Sequence, residues 1–203
     1  MNHGLRVTLP GVLPDILHQT AFNLCAALTC SWGYPARLIA GNPLYAAELA
    51  QRLALCLGGG GPHRRPVLIW AAPCREDRVE VADALGALPP EGVVLVLAPG
   101  RAGRRVLPGV GNGEGTTSPK RHPLLLEEAV RWLAAQGFRE EARYGIGGTE
   151  YRLWSRLAYL SERLGLADRA DRLRARARAS LRVDDKRAAA SLLALALTSR
   201  RPA

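Results

Sequence analysis

Residues 66–100 of this chain read PVLIWAAP, CREDRVEVADALGALPPEG and VVLVLAPG. Two short runs of Val, Leu, Ile or Trp flank a segment in which Val79, Ala82, Leu85 and Leu88 recur at helical spacing, the pattern of a strand–helix–strand unit. Neither run alternates with polar residues. Both strands are therefore expected to be buried on both faces, as in a parallel sheet with helices above and below. Pro89, Pro90 and Gly92 mark the turn from helix back to strand. A chain containing such a unit has to supply helices for two faces of a sheet.

The flanking sequence offers them. Pro10 and Pro14 punctuate an extended opening, and a helix follows with Asp15 as its N-cap and Ile16, Leu17, Phe22, Leu24, Ala27 and Leu28 as apolar positions. A short strand at Arg37–Ala40, a Gly-Asn-Pro turn and a helix from Leu44 to Leu57 come next, ended by Gly58–Gly61, which read as a C-cap and connector. Residues 101–123 are rich in Gly, Pro and polar side chains. Gly109, Gly111, Gly113 and Gly115 stand at every second position, a spacing that differs from G-x-G-x-x-G and reads as a surface loop. A helix over Leu124–Gln136 is stopped by Gly137 and leads into a strand at Phe138–Tyr144. After a turn at Gly145–Gly148, Thr149–Leu153 is either a returning strand or the start of a helix. From there the chain reads as helical to its end: Leu153, Leu157, Leu160 and Leu164 form one stripe, Leu166, Ala170, Leu173, Ala177 and Leu181 a second, and Ala188–Leu197 a third, strongly apolar helix.

At 203 residues the chain suits one domain with a sizeable core plus an appended piece. No apolar run is long enough to span a membrane and no apolar segment follows a basic start, so a cytoplasmic protein without a transmembrane segment is expected. Cys25, Cys30, Cys56 and Cys74 form no CxxC pair and sit among apolar residues, which favours reduced, buried thiols over a disulfide framework and gives no metal site. His3, His18, His63 and His122 are scattered. His18 has no second ligand at i+4 and reads as an ordinary hydrogen-bonded histidine.

The net charge of +10 is unevenly placed: residues 1–100 carry seven Arg and seven acids, whereas residues 101–203 carry 21 Lys or Arg against 11 acids. On the helix bearing the second stripe, Arg174, Arg178 and Arg182 recur at i, i+4 and i+8, with Arg169, Arg172 and Arg176 on the adjacent flank. Such a guanidinium surface suits an anionic partner, or is a solvated face partly compensated by Asp168 and Asp171. No aromatic residues interleave with it, which argues against stacking of single-stranded bases.

From Val67 to Leu181 the order of elements resembles the second half of a class I S-adenosylmethionine-dependent methyltransferase. The matching pieces are the strand VLIWAAP, the helix REDRVEVADALGAL, the turn LPPEG, the strand VVLVLAPG, a loop, the helix and strand start LLLEEAVRWLAAQGF, a β-hairpin, and C-terminal helices like LWSRLAYLSERLGLADRADRLRARARASL. The resemblance implies a Rossmann-like, mostly parallel sheet flanked by helices, here over residues 1–150 with a shortened N-terminal half, followed by a basic C-terminal helical extension over 151–203. Active members carry a turn shaped like D/E-x-G-x-G-x-G after their first strand and an acid ending the second, for close backbone approach to the cofactor and for its ribose hydroxyls. In this chain the corresponding turn, LIAGNPLY, has the single glycine Gly41, and no second acidic strand follows. Asn42-Pro43-Leu44-Tyr45 is similar to the N-P-P-Y turn of amino-methyltransferases, with the order broken at Pro43 and Leu44.

The expected function is thus a methyltransferase-like domain that has lost catalysis and acts as a binding or assembly subunit, holding an acidic protein through Arg169, Arg172, Arg174, Arg176, Arg178 and Arg182. No cofactor is expected. The alternative is an active methyltransferase whose divergent S-adenosylmethionine pocket lies near Gly41, Asn42, Ala71 and Pro73 and the strand ends at Ala71–Pro73 and Ala98–Gly100, where open α/β sheets place their ligands. A nucleic-acid-binding module is the other alternative. No Ser/His/Asp set or carboxylate pair groups along the sequence, so catalytic residues are not assigned.

Overall fold

A computed structural model describes residues 15–54, 64–100, 121–181, 183–184 and 191–200. The extended opening before Asp15, the Gly58–Gly61 cap, the alternating glycines of 109–115 and Arg182 lie outside these residues. In chain order the elements are α1 (Asp15–Trp32), β1 (Gly33–Ala40), α2 (Pro43–Leu53), β2 (Arg65–Ala71), a 3-10 turn (Arg75–Asp77), α3 (Arg78–Ala87), β3 (Val93–Pro99), α4 (Leu126–Ala135), β4 (Phe138–Ile146), α5 (Thr149–Arg163), α6 (Ala167–Ser180), β5 (Val183–Asp184) and β6 (Leu193–Arg200).

One six-stranded sheet, in the order β1-β2-β3-β6-β4-β5, organises the chain. β1, β2 and β3 are mutually parallel neighbours, β6 runs antiparallel between β3 and β4, and the short β5 closes the far edge. Four of the six strands therefore point the same way, the mostly parallel, helix-flanked α/β architecture read from the sequence. The edge strand β1 carries Pro35 at a register shift, a placement that suits an edge because proline has no N–H to donate.

β2 and β3 are buried on both faces, and their side chains sort by the two-residue period of a strand. Val67, Ile69, Ala71, Val93, Leu95 and Leu97 join Leu17, Phe22 and Cys25 of α1 and Tyr45 and Leu49 of α2. Leu68, Trp70, Val94 and Val96 turn the other way, onto Val81 and Leu85 of α3 and Ala129 and Leu133 of α4. On α3 the buried face is Val81, Ala84, Leu85 and Leu88, while Val79 is 74 % exposed. The expected face through Val79 and Ala82 is thus rotated by about half a turn at its N-terminal end, and only Leu85 and Leu88 are shared.

Two sequence expectations are corrected in the last third of the chain. Residues 193–197, read as part of a helix over Ala188–Leu197, lie in β6 at the middle of the sheet, with Leu193, Leu195 and Leu197 on the α1/α2 face and Ala194 and Ala196 on the α3/α4 face. Leu-Ala-Leu-Ala-Leu is apolar on every side, so helix and doubly covered strand share one pattern. The strand that pairs with β4 along its length is this late β6, not a segment directly after it, because Thr149 opens α5. The sheet consequently takes strands from both sides of the expected boundary at residue 150. Of the described cysteines, one departs from expectation. Cys25 and Cys74 are free and buried, but Cys30 is disulfide-bonded, so thiol state no longer argues for a reducing compartment. No helix among the described residues is long and apolar enough to cross a membrane.

α5 and α6 pack chiefly on each other as an antiparallel hairpin. Their turn is a Schellman motif, with Leu166 N–H donating to Ser161 O at 2.9 Å and Gly165 N–H to Glu162 O at 3.0 Å. It needs Gly165 at φ +72, where a Cβ would be strained. Apart from Tyr151 at its start, the buried face of α5 is made of small residues, Ser155, Ala158 and Ser161, and that of α6 is Ala170 and Ala177 beside Leu173. Of the stripe Leu153, Leu157, Leu160 and Leu164, Leu157 is half-buried and the other three are exposed.

Substituting Leu195 by Ala should cost about 2–5 kcal/mol in urea unfolding, the range for a fully buried leucine. Leu164→Ala should change stability by no more than about 0.5 kcal/mol. Equal effects would contradict the placement of β6 in the core and of Leu164 at the surface.

Candidate functional site

The carboxyl ends of β1 and β2 bring together the four residues singled out for a ligand. Gly41 N–H donates to Ala71 O at 3.0 Å, so the turn after β1 lies against the end of β2. Asn42 immediately precedes α2, its carbonyl accepting from Ala46 N–H at 3.1 Å. Ala72 follows with φ +45, a left-handed backbone that costs energy outside glycine. It carries the chain round to Pro73, whose carbonyl accepts from Leu124 N–H at 2.8 Å.

A side chain on Gly41 would have no room: its Cβ would fall 2.2 Å from Ala72 O, 2.6 Å from Cys74 Sγ and 3.1 Å from Asp77 Oδ2. The obstacle includes backbone, so the close approach requires glycine. Asp77, 7 % exposed, organises this crowding. Its Oδ2 accepts from Cys74 N–H at 2.8 Å and from the indole N–H of buried Trp70 at 3.4 Å. The Arg121 guanidinium lies 3.4 Å from Oδ1 and also donates to Gly41 O at 3.0 Å. Arg121 thus ties the turn after β1 to the turn after β2.

Residues 121–124 are stitched along the same edge. Arg75 N–H donates to His122 O at 2.9 Å, His122 N–H to Glu76 Oε2 at 3.0 Å, and Cys74 bridges Pro123. His122 Nδ1 lies 2.6 Å from Glu76 Oε1; since a carboxylate can only accept, Nδ1 carries the proton. These bonds from His122 hold the Glu76 carboxyl down at about 2, from an ordinary 4.5. Burial, and then the neighbouring Asp77 carboxylate, push the Cys74 thiol up to about 11. It is protonated at neutral pH and a poor nucleophile. Among the described residues no group of three His, Cys, Asp or Glu could hold a metal ion.

The arginines of α6 do not act alike. Arg174 is held at the seam of the hairpin by Glu162 of α5 at 2.5 Å and by Asp171 at 2.8 Å, so its charge is largely met within the molecule. Arg178 is exposed on that side of the helix. Arg169, Arg172 and Arg176 are exposed along the other flank, and among the described residues no carboxylate pairs with them. They line an open groove of about 510 Å³ with Trp154, Leu157 and Leu173, and the Arg176 guanidinium lies 5.4 Å from the Trp154 ring centre.

Asp77 and Arg121 went unnoticed in the sequence, one inside a segment read as helix and the other at the end of a loop. A usable signal existed for Asp77: it stands three residues after Cys74 at a helix start, downstream of a buried Trp whose N–H needs an acceptor. Arg121 has no local signal, since its partners lie 44 and 80 residues away. Comparison with protein-family models finds no match to this chain, and comparison with curated proteins finds none either.

Replacing Asp77 by Ala strands the Trp70 indole N–H and the Cys74 amide in a buried setting, and should lower stability by about 1–3 kcal/mol per unmet donor. Loss of that size in thermal or urea unfolding is the check. For Glu76 the depressed pKa means a contribution present above the ordinary carboxyl value and lost as pH falls from about 4.5 towards 2. A carbon-13 titration should find this carboxyl ionising near 2, and His122→Ala should return it towards 4.5; titration near 4.5 in the unmodified protein would refute the bond.

Proposed function

We propose that this chain is a methyltransferase-like domain that no longer performs catalysis and serves as a binding or assembly subunit for an acidic protein. The observation that carries the reading is the row Arg169, Arg172 and Arg176, three exposed guanidiniums without a carboxylate among the described residues, one helix flank away from an arginine that is neutralised. A cationic row left unmet on a molecule of net charge +10 attracts and orients an anionic surface. The loss of catalysis is supported at the strand ends. The space over Gly41 is taken up by Ala72, Cys74 and Asp77, in the turn where the family resemblance implies a glycine-rich cradle.

One observation favours the enzyme reading: Gly41, Asn42, Ala71 and Pro73 converge at the carboxyl end of a mostly parallel sheet, the usual ligand position in open α/β folds. Calorimetry separates the two. Titration with S-adenosylmethionine should give no binding heat, and a micromolar Kd would establish the active-methyltransferase alternative. Polyglutamate should bind the unmodified protein at low salt and lose at least about tenfold in affinity when Arg169, Arg172 and Arg176 are changed together to Glu, a loss of about 1.4 kcal/mol. Unchanged binding would remove the basic surface from the function.

A further inference from the structure

The groove beside α6 has a cationic wall and an apolar floor. On one side stand Arg169, Arg172 and Arg176; on the floor lie Trp154, Leu157 and Leu173. Beyond the residues that line the groove, Leu153, Leu160 and Leu164 stand at i−4, i+3 and i+7 from Leu157 and so extend its apolar face along α5. They are 51 %, 46 % and 75 % exposed. The opposite seam of the hairpin is closed by Glu162, Arg174 and Asp171, whereas this side is open among the described residues. An apolar strip with a cationic rail running parallel to it is the negative image of an amphipathic helix whose apolar face is bordered by acids.

We infer that the groove between α5 and α6 is a docking site for an acidic amphipathic helix of a partner protein, which would complete a three-helix arrangement with the hairpin. The inference rests on the binding-subunit reading and names the partner's chemistry. Charge complementarity selects the occupant. The chain's own segments outside the described residues offer no acidic helix: residues 1–14 contain no Asp or Glu, and residues 101–120 contain one acid, Glu114, against four Arg or Lys. A second copy brings another +10 and is repelled. A planar anionic membrane would meet the leucines from outside without entering the trough, and nucleic acid would use the arginine rail but leave the leucines unsatisfied. An α-helix about 10 Å across fits between two helix ridges, and binding of this kind reads apolar anchors at i, i+3, i+4 and i+7.

The test uses the full chain and a fluorescent, terminally blocked peptide of about 15 residues, roughly 22 Å and so matched to α5, with Leu at i, i+3, i+4 and i+7 spacing and Glu elsewhere. Comparison probes are a scrambled peptide of the same composition, polyglutamate, anionic phosphatidylglycerol vesicles and a duplex DNA. The amphipathic peptide should bind at least about tenfold more tightly than the scrambled one. Both Arg169→Glu/Arg172→Glu/Arg176→Glu and Leu153→Ser/Leu160→Ser/Leu164→Ser should weaken it at least tenfold, with circular dichroism unchanged. The assigned indole resonance of Trp154 should shift on binding in the unmodified protein. Equal affinity for the scrambled peptide and polyglutamate, with no effect of the leucine changes, would overturn the helix-docking inference while leaving a basic binding surface in place. Absence of binding to any anionic probe would overturn both. Tighter binding to vesicles or to DNA than to the amphipathic peptide would replace the inferred partner with a membrane or a nucleic acid. Since S-adenosylmethionine is absent from these assays, their outcome is independent of the calorimetric test of catalysis.

Discussion

The arrangement depends on β6 being inserted, antiparallel, between β3 and β4. A strand in that position is covered on both faces, so its central run Leu193–Leu197 is apolar all round, and in this chain it follows both of its neighbours in sequence. Until β6 is in place β4 has no long partner and the sheet stops at β3. The pairing joins residues about one hundred positions apart, as in Val94 with Thr198, and the loop-closure entropy of that contact is met only when the core side chains are buried. The α5–α6 hairpin is a consequence: it is the excursion between β4 and β6. Its base is fastened where Leu192 N–H donates to Ile146 O and Gly147 O, and Gly100 N–H donates to Leu192 O. With both ends anchored, the hairpin needs only a small-residue seam to hold itself together, and its outer faces are free to be something other than core.

This division explains which parts of the fold were legible in the sequence. β2, α3 and β3 could be read because strands buried on both faces lack alternation while the intervening segment has helical spacing and a Pro/Gly turn. β6 could not, since Leu and Ala alternate but both are apolar, and the two-residue period is visible only once the sheet assigns leucine to the α1/α2 side and alanine to the side that holds Trp70 and Trp132. The α5 stripe failed for the opposite reason. Leu153, Leu157, Leu160 and Leu164 have the spacing of a buried face, yet Leu157 is only half-buried, the other three are exposed, and the buried face carries Tyr151, Ser155, Ala158 and Ser161. Periodicity reports that leucines share a side of a helix. It does not report whether that side meets this chain or another molecule.

The same limit applies at the candidate site. Gly41, Asn42, Ala71 and Pro73 were legible because a residue at the carboxyl end of a parallel strand has a position given by topology alone. What fills the space between them is not topological. The Asp77 carboxylate accepts from Trp70, from Cys74 and from the distant Arg121, and this network ties together the turns after β1 and β2. Spacing on the helix places Arg174 and Arg178 on one row and Arg169, Arg172 and Arg176 on the adjacent flank. Packing separates the two, since Arg174 lies on the seam with α5 and meets Glu162 there, whereas the flank of Arg169, Arg172 and Arg176 opens onto the groove.

Single exposed leucines are ordinary on protein surfaces. Three on one face, running alongside three guanidiniums that no carboxylate of the described residues pairs with, are a different matter, because the two features act on a partner through different physics. Removing a leucine side chain from water contributes about 1.5–3 kcal/mol, independent of salt to first order. The arginine row acts through charges at the solvent boundary, where screening shortens its reach to about 8 Å at physiological ionic strength, so it governs encounter rate and orientation more than residence time. A surface evolved only for polyanions has no use for the leucines, and one evolved only for an apolar partner gains nothing from leaving three charges unmet. Their juxtaposition on one groove therefore points to a partner that carries both an apolar face and acids beside it, held by the first and aligned by the second.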